Sequence, residues 1–340
     1  MSSRLGHVLI TGGTGSFGRA FVASVLERGL ADVVRIYSRD EWKQGEMAAQ
    51  FQHDARLRFL LGDVRDRERL ARAMDGVDVV VHAAALKQVP SCEYNPAEAV
   101  RTNVDGAQNV IDAAITAGVA RTVALSTDKA VNPINIYGAT KLCAEKLFAQ
   151  GGVYAGNRPS RFACVRYGNV VGTRGSVIPL FVEQAKSGVV TITDPKMTRF
   201  WISLEQAVEF VLDAIENMQG GEIFVPKIPS MRIVDLARAI APDAVLKCVG
   251  RRPGEKLHEL LLSAEESPLV REHRHHYVIG GKHRNAGRAV AEGFTYASHT
   301  NDQWIGVDHI RALVDRWRGS DHARVAATGS GASTAPIATS

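Results

Sequence analysis

The 340-residue chain is poor in cysteine, with four residues at positions 92, 143, 164 and 248. None forms a Cys-x-x-Cys pair, so neither a disulfide framework nor a thiolate metal site is expected, and all four read as reduced thiols. Aromatic residues reach only 6% and no basic block interleaves with them, which excludes the usual footprint of a nucleic-acid binder. The formal charge of +5 is spread along the chain and suits anionic small molecules instead. No apolar stretch approaches the roughly 18 residues needed to span a bilayer. With the strand pattern starting near residue 8, no signal peptide is expected. These absences predict a cytoplasmic protein with neither nucleic acid nor membrane as a partner. His273-Arg-His-His276 is a histidine cluster, but nothing at helical or loop spacing completes a ligand set. It reads as a solvated edge, and no metal is expected.

What the chain does have is alternation. Val8-Leu9-Ile10 makes an apolar strand, followed by Thr11-Gly12-Gly13-Thr14-Gly15-Ser16-Phe17-Gly18 and a helical pattern through Ala20, Phe21, Val25 and Leu26. Glycines at 12, 15 and 18 permit a tight turn, close backbone approach to a pyrophosphate, and close packing of helix on strand. A second strand, 33–37, ends at Ser38-Arg39-Asp40, with Lys43 close behind. A hydroxyl and a guanidinium at this tip suit the 2′-phosphate of NADP, while Asp40 keeps NAD open. Strand 57–61 leads to Asp63 and Val64, where the carboxylate would meet an adenine amino group. Helix 66–74 and strand 77–81 follow, the strand running into His82-Ala83-Ala84-Ala85. Small side chains there let a cofactor lie against the backbone. The spacing then predicts one long helix over 98–117 and a fifth strand over 122–126. Together these predict an α/β fold with a Rossmann-like doubly wound parallel sheet.

Past the fifth strand stand Thr127, Asp128 and Lys129, at the sheet edge where open parallel sheets place their sites. Asn132-Pro133 interrupts the chain, and the next helix carries Tyr137 and Lys141. A phenol and an ammonium at i and i+4 share a helix face, so the cation favours phenolate. Such a tyrosine can take the proton of a sugar hydroxyl. Asp128 and Lys129 add a second acid/base pair, which alcohol oxidation alone would not need but an elimination would.

On these motifs the chain resembles an extended short-chain dehydrogenase/reductase. More narrowly, it resembles the inverting, 5-epimerising UDP-N-acetylglucosamine 4,6-dehydratases of the pseudaminic acid pathway type. The specific segments are Ser126-Thr-Asp-Lys-Ala130 with Tyr137-Gly-Ala-Thr-Lys141, His82 to Lys87, Glu93-Tyr-Asn-Pro96, Arg166-Tyr-Gly-Asn169, Met197-Thr-Arg-Phe200 and Arg252 to Glu259. Retaining relatives hold Asp-Glu where this chain has Asp128-Lys129, which favours the inverting branch.

The resemblance implies a lyase of polysaccharide biosynthesis. Tyr137 would take the C4 hydroxyl proton, with Thr127 and Lys141 in support. Lys129 would act as base at C5 once its pKa has fallen, and a protonated Asp128 would donate to the departing C6 hydroxyl. The implied product is UDP-2-acetamido-2,6-dideoxy-β-L-arabino-hexos-4-ulose, made with a tightly bound, recycled NADP. The substrate contacts it implies are Lys87, Asn169, Arg199, Arg252 and Glu255, in a homo-oligomer, dimer or hexamer.

Residues 1–168 and about 200–228 are expected to form the NADP-binding domain. A smaller substrate lobe takes about 169–199 and 229–318, and 320–340 forms a disordered tail. Ser203 to Asn217 and Met231 to Ala241 read as helices, and Glu222 to Val225 as a strand rejoining the main sheet. A UDP-sugar 4-epimerase shares the fold and the Tyr/Lys pair but needs no Asp-Lys pair. A non-catalytic dinucleotide sensor would usually lack the tyrosine or the lysine.

Overall fold

Val8, Leu9 and Ile10 are all fully buried, as an apolar strand covered on both faces by helices must be. They lie in β1 (Gly6–Thr11), next to β2 (Ala31–Ser38) and β3 (Leu57–Leu61) on one side. On the other side follow β4 (Val79–His82), β5 (Arg121–Thr127) and β6 (Arg161–Tyr167). The computed structural model describes residues 4–171, 173, 176–281 and 286–319. The expected tail at 320–340 lies outside them.

The order β3-β2-β1-β4-β5-β6 is parallel throughout and reverses direction between β1 and β4, which opens a crevice above their carboxyl ends. Strand Glu222–Pro226 continues the sheet in parallel beside β6, as its sequence predicts. Three antiparallel strands, His276–Gly280, Val270–Glu272 and Arg288–Ala289, complete a ten-stranded sheet. Residues 270–280 were expected in the smaller lobe; pairing with 222–226 brings them onto the main sheet. His273 and His276 stack at this edge, with ring centroids 4.7 Å apart.

Helices α1 (Ser16–Glu27), α2 (Glu41–Gln50) and α3 (Arg67–Met74) cross between the first strands. The long helix expected over 98–117 is instead α5 (Pro96–Val100), a π-turn at Arg101–Asp105, and α6 (Gly106–Ala117), preceded by α4 (Val89–Tyr94). Such π-turns insert a residue into the helical ladder and re-aim side chains. Here the turn turns Asn103 inward. Its amide bonds both backbone groups of Leu86, at 2.8 and 2.9 Å, and Thr140 Oγ1 at 3.0 Å. Asn103 thereby ties the loop after β4 to α7 (Ile136–Tyr154).

A second, smaller core gathers Ile178, Phe181, Trp201, Met231, Leu236, Ile310 and Val314. It is built on helices Val177–Ala185, Ile233–Ile240 and Val307–Gly319 and the strand pair Val189–Ile192 with Val245–Cys248. Met231 belongs to strand Ser230–Arg232, so the helix expected from 231 starts at Ile233. Helix Leu204–Asn217 forms as expected behind a Ser203/Gln206 capping box.

The fully buried Arg166 on β6 joins distant segments. Its guanidinium donates to Glu145 on α7, at 2.9 and 2.7 Å, to Glu266 at 2.9 and 2.8 Å, and to the carbonyl of Leu261. No described helix is long and apolar enough to cross a membrane.

Candidate active site

The crevice is a cleft of about 780 Å³. At one end lies the glycine-rich loop. Gly12 has a φ of +67°, and a Cβ there would come within 2.9 Å of the Ala84 backbone. A Cβ on Gly18 would meet Gly13 O at 2.2 Å, so only glycine lets α1 sit this close to the loop. A dinucleotide pyrophosphate fits such a cradle at the start of a 12-residue helix. At the tip of β2, Ser38 Oγ accepts from Gln44 Nε2 at 3.0 Å, which leaves its own proton free to donate. Arg39 is more than half exposed and lies 3.5 Å from Asp63. Asp40 caps α2, accepting from Lys43 N at 3.0 Å, and also holds the Lys43 ammonium. Asp63, expected to meet adenine, is clamped by Arg65 at 2.7 Å.

At the other end β5 leaves the sheet at Thr127. The Thr127 hydroxyl accepts from Lys129 N at 3.3 Å and so starts the short turn Asp128–Ala130. The turn sends Asp128 inward, 0% exposed, and Lys129 toward the cleft, 24% exposed. Lys129 Nζ donates to Asp128 Oδ1 at 2.9 Å, and Thr127 Oγ1 donates to the same oxygen at 3.0 Å. Asn169 Oδ1 lies 3.5 Å from Lys129 Nζ.

Helix α7 starts beside this turn. Asn135 caps it by accepting from Gly138 N at 2.7 Å, and its amide donates to Gly254 O at 2.8 Å. A Cβ on Gly138 would fall 2.1 Å from Lys129 O. The missing side chain therefore lets Tyr137 stand beside Lys129.

The electrostatics differ from the sequence-based expectation at two points. Burial pushes Tyr137 up to about 12, against the pull of Lys129 and the Thr127 hydroxyl. The cation acting on the phenol is thus Lys129, whereas Lys141, buried, donates to Leu125 O at 2.6 Å and is pushed down by that burial. Burial also works against the charge on Lys129, but the Asp128 and Glu259 carboxylates outweigh it and hold the ammonium above its ordinary range. The expected fall in the Lys129 pKa is not found.

Most expected site residues line the one cleft: the glycine loop with Thr14, Ser16 and Phe17, then Ser38, Arg39, Lys43, Asp63, Val64, Ala83, Ala84 and Ala85. Lys87, Thr127, Lys129, Tyr137, Lys141 and Asn169 do so as well. Asp128 lies beneath Lys129. Arg199, Arg252 and Glu255 are not in the cleft wall. Arg199 is buried and directs its N–H groups to the carbonyls of Thr198, Lys256 and Leu257. Arg252 is exposed, and its backbone N–H donates to Glu255 at 3.3 Å.

Two residues at the site, Thr102 and Glu259, lie in motifs legible in the sequence but were given no site role there. Thr102 lines the cleft with a buried hydroxyl that has no hydrogen-bond partner among the described residues. Its place in the π-turn could not be read from helical periodicity. Glu259, 2% exposed, reaches Lys129 Nζ at 3.4 Å from 130 positions along the chain. The resembling segment Arg252 to Glu259 ends on this carboxylate, but no role was assigned to it from the sequence.

Fold and cleft together define a Rossmann-type short-chain dehydrogenase/reductase with an Asp128–Lys129 ion pair beside the tyrosine. The chain belongs to the polysaccharide biosynthesis protein family, whose model matches residues 8–280. It is 50% identical over 325 residues to a Campylobacter jejuni protein named UDP-N-acetylglucosamine 4,6-dehydratase (inverting), covering 91% of this chain and 97% of that one. A Rickettsia conorii protein named UDP-glucose 4-epimerase is 42% identical over 324 residues, covering 90% and 94%. Among solved structures, Pen from Bacillus thuringiensis superposes with a TM-score of 0.85 at 37% identity, covering 93% of this chain and all of that one.

Proposed function

We propose that this chain is a lyase that converts UDP-N-acetylglucosamine by inverting 4,6-dehydration, with C5 epimerisation, to UDP-2-acetamido-2,6-dideoxy-β-L-arabino-hexos-4-ulose. The observation that carries the reading is the 2.9 Å contact of Lys129 with Asp128 beside Tyr137, in the same cleft as the dinucleotide loop. The name of the C. jejuni relative agrees with it. NADP fits better than NAD, because Ser38 and Arg39 offer a donor and a cation at the ribose end while Asp40 is engaged as a helix cap.

Tyr137 removes the proton of the C4 hydroxyl, and Thr127 and Lys129 stabilise its phenolate. A dinucleotide held by Gly12, Gly15, Gly18 and Lys141 would supply a hydride acceptor for C4 and a hydride donor for C6, with no net redox change. The C4 ketone makes the C5 hydrogen acidic. Lys129 and Asp128 share one proton across their contact. Moving it from Nζ to Oδ1 creates a neutral amine and a carboxylic acid in one step. The amine takes the C5 proton, and the acid protonates the C6 hydroxyl, which leaves as water. Lys129 is then again an ammonium and Asp128 a carboxylate. A solvent proton delivered to C5 from the opposite face inverts that centre, and Tyr137 returns the C4 proton to solvent, which closes the cycle.

Lys141, held on Leu125 O, supports the nicotinamide ribose. Asn169 and Lys87 on the cleft wall orient the sugar, and Arg252 and Glu255 serve the diphosphate and ribose from the neighbouring segment, while Arg199 is engaged by the carbonyls of Thr198, Lys256 and Leu257. The substrate lobe comprises about 169–199 and part of 229–318, and the protein works in the cytoplasm as a homo-oligomer.

The R. conorii name favours one second reading, UDP-sugar 4-epimerisation. Incubation with UDP-N-acetylglucosamine in deuterated water separates the two. Loss of water with deuterium at C5 supports dehydration. Unchanged mass with C4 inverted overturns it in favour of the epimerase.

A further inference from the structure

Glu259 has no part in the roles above, yet it is one of the most deeply placed charges at the cleft. Its segment follows the exposed Arg252 loop and precedes strand Leu260–Leu262. Its backbone N–H donates to Ser298 Oγ at 2.9 Å, and Ser298 N donates back to Glu259 O at 2.8 Å, so the main chain is fixed from both sides. The carboxylate then points at the turn after β5. Oε1 lies 3.4 Å from Lys129 Nζ and 3.8 Å from Arg199 Nε. Oε2 lies 3.9 Å from Lys256 Nζ and has no hydrogen-bond partner among the described residues. Three cations and the Asp128 carboxylate therefore face Glu259, and of these Lys129 alone lines the cleft.

We propose that Glu259 is a positioning residue for the elimination, holding Lys129 between two carboxylates from distant segments and governing how readily Lys129 releases its proton. This rests on the reading of Lys129 as the C5 base. Asp128 alone leaves a lysine free to swing, because a single carboxylate one residue away constrains only one direction of a four-carbon side chain. The second carboxylate, anchored through Ser298, sets the other. It also favours the ammonium, so that proton abstracted from C5 finds a stronger acceptor. Burial pushes the Glu259 carboxyl above its usual range while Lys129 pulls it down, as expected of two groups that titrate against each other.

The test uses the full chain with its cofactor, comparing wild type with Glu259→Gln and Glu259→Asp. In E259Q the rising limb of the pH profile for C5 deuterium exchange is expected to move to lower pH by about one unit. The plateau is expected to fall roughly tenfold, with KM within about twofold. E259D keeps the charge, so its limb stays near that of wild type while the plateau falls. Equal losses in both variants with an unmoved limb would mean a merely structural role and overturn the assignment.

A second readout does not depend on turnover. With lysine labelled at the ε-carbon and the resonance assigned through Lys129→Ala, Lys129 is expected to titrate at lower pH in E259Q than in wild type. An unchanged titration overturns the proposal even if the enzyme turns the substrate over as described. Absence of C5 exchange in wild type, with the Lys129 resonance still shifted in E259Q, overturns the reaction reading and leaves the Glu259–Lys129 coupling supported. If E259Q does not fold, the same resonance in Glu259→Ala decides: a titration at lower pH than in wild type supports the proposal, and an unchanged one overturns it.

Discussion

Lys129 Nζ sits 2.9 Å from Asp128 Oδ1, and the two neighbours differ in exposure, 24% against 0%. An acid sealed from water and a base open to the cleft are joined by one proton. In the proposed mechanism a single transfer would prepare both partners of the elimination, without a second proton from solvent.

Lys129→Ala should therefore stop elimination at the ketone stage. We expect C5 deuterium incorporation to fall on the order of 10²–10⁴-fold, the usual worth of a positioned acid/base group. Cofactor affinity, measured by fluorescence titration, should stay within a factor of about two, because Lys129 lies beyond the glycine loop. Retention of full exchange would remove Lys129 from the mechanism.

Cofactor choice should follow the tip of β2. Replacing Ser38 with Asp and Arg39 with Ala removes one donor and one cation and adds a carboxylate. The dissociation constant for NADP is expected to rise roughly 10–100-fold, while that for NAD holds or falls. Equal weakening of both would show that these residues do not read the 2′-position.

Arg166 should matter to stability rather than to chemistry. Arg166→Met would strand the buried Glu145 and the partly buried Glu266, at a cost of about 3–5 kcal/mol in chemical denaturation. Adding Glu145→Met and Glu266→Met should recover much of that loss. A triple variant as unstable as the single one would contradict the account.

His82 predicts an acid limit to folding. It is fully buried, bonded through Nδ1 to Thr11 Oγ1 at 2.8 Å, and burial lowers its pKa to about 3, with Lys141 adding to the effect. The unfolded chain binds this proton near pH 6.5, whereas the folded chain refuses it until about pH 3. The stabilisation is thus complete above about pH 6.5 and is lost as pH falls through that window, on the order of 5 kcal/mol in all. Comparing unfolding free energies at pH 7 and pH 4, the drop should be smaller in His82→Asn. An identical drop would place the acid sensitivity elsewhere.

The elements that follow from local chemistry were legible in advance. Gly12 and Gly18 announced their turn and close packing, and the apolar runs at 8–10 and 122–126 announced buried strands. Tyr137 and Lys141 announced a shared helix face. Local pattern failed where a neighbour from elsewhere in the chain intervened. The 98–117 pattern looks continuously helical because the π-turn adds one residue without altering the apolar stripe. Met231 looks helical because its strand exists only through pairing with Arg199 on strand Thr198–Ile202. Residues 270–280 resemble lobe surface until strand 222–226 supplies their partner.

The sequence by itself determined the parallel sheet, the dinucleotide loop and the presence of Thr127, Asp128, Lys129 and Tyr137 at one strand end, because each depends on spacing within a few residues. Only the tertiary structure decided the charge on Lys129 and the cation that faces Tyr137. The charge on Lys129 depends on desolvation, on Asp128 and on a carboxylate brought from position 259, and Coulomb interactions act over ångströms in space whatever the separation along the chain.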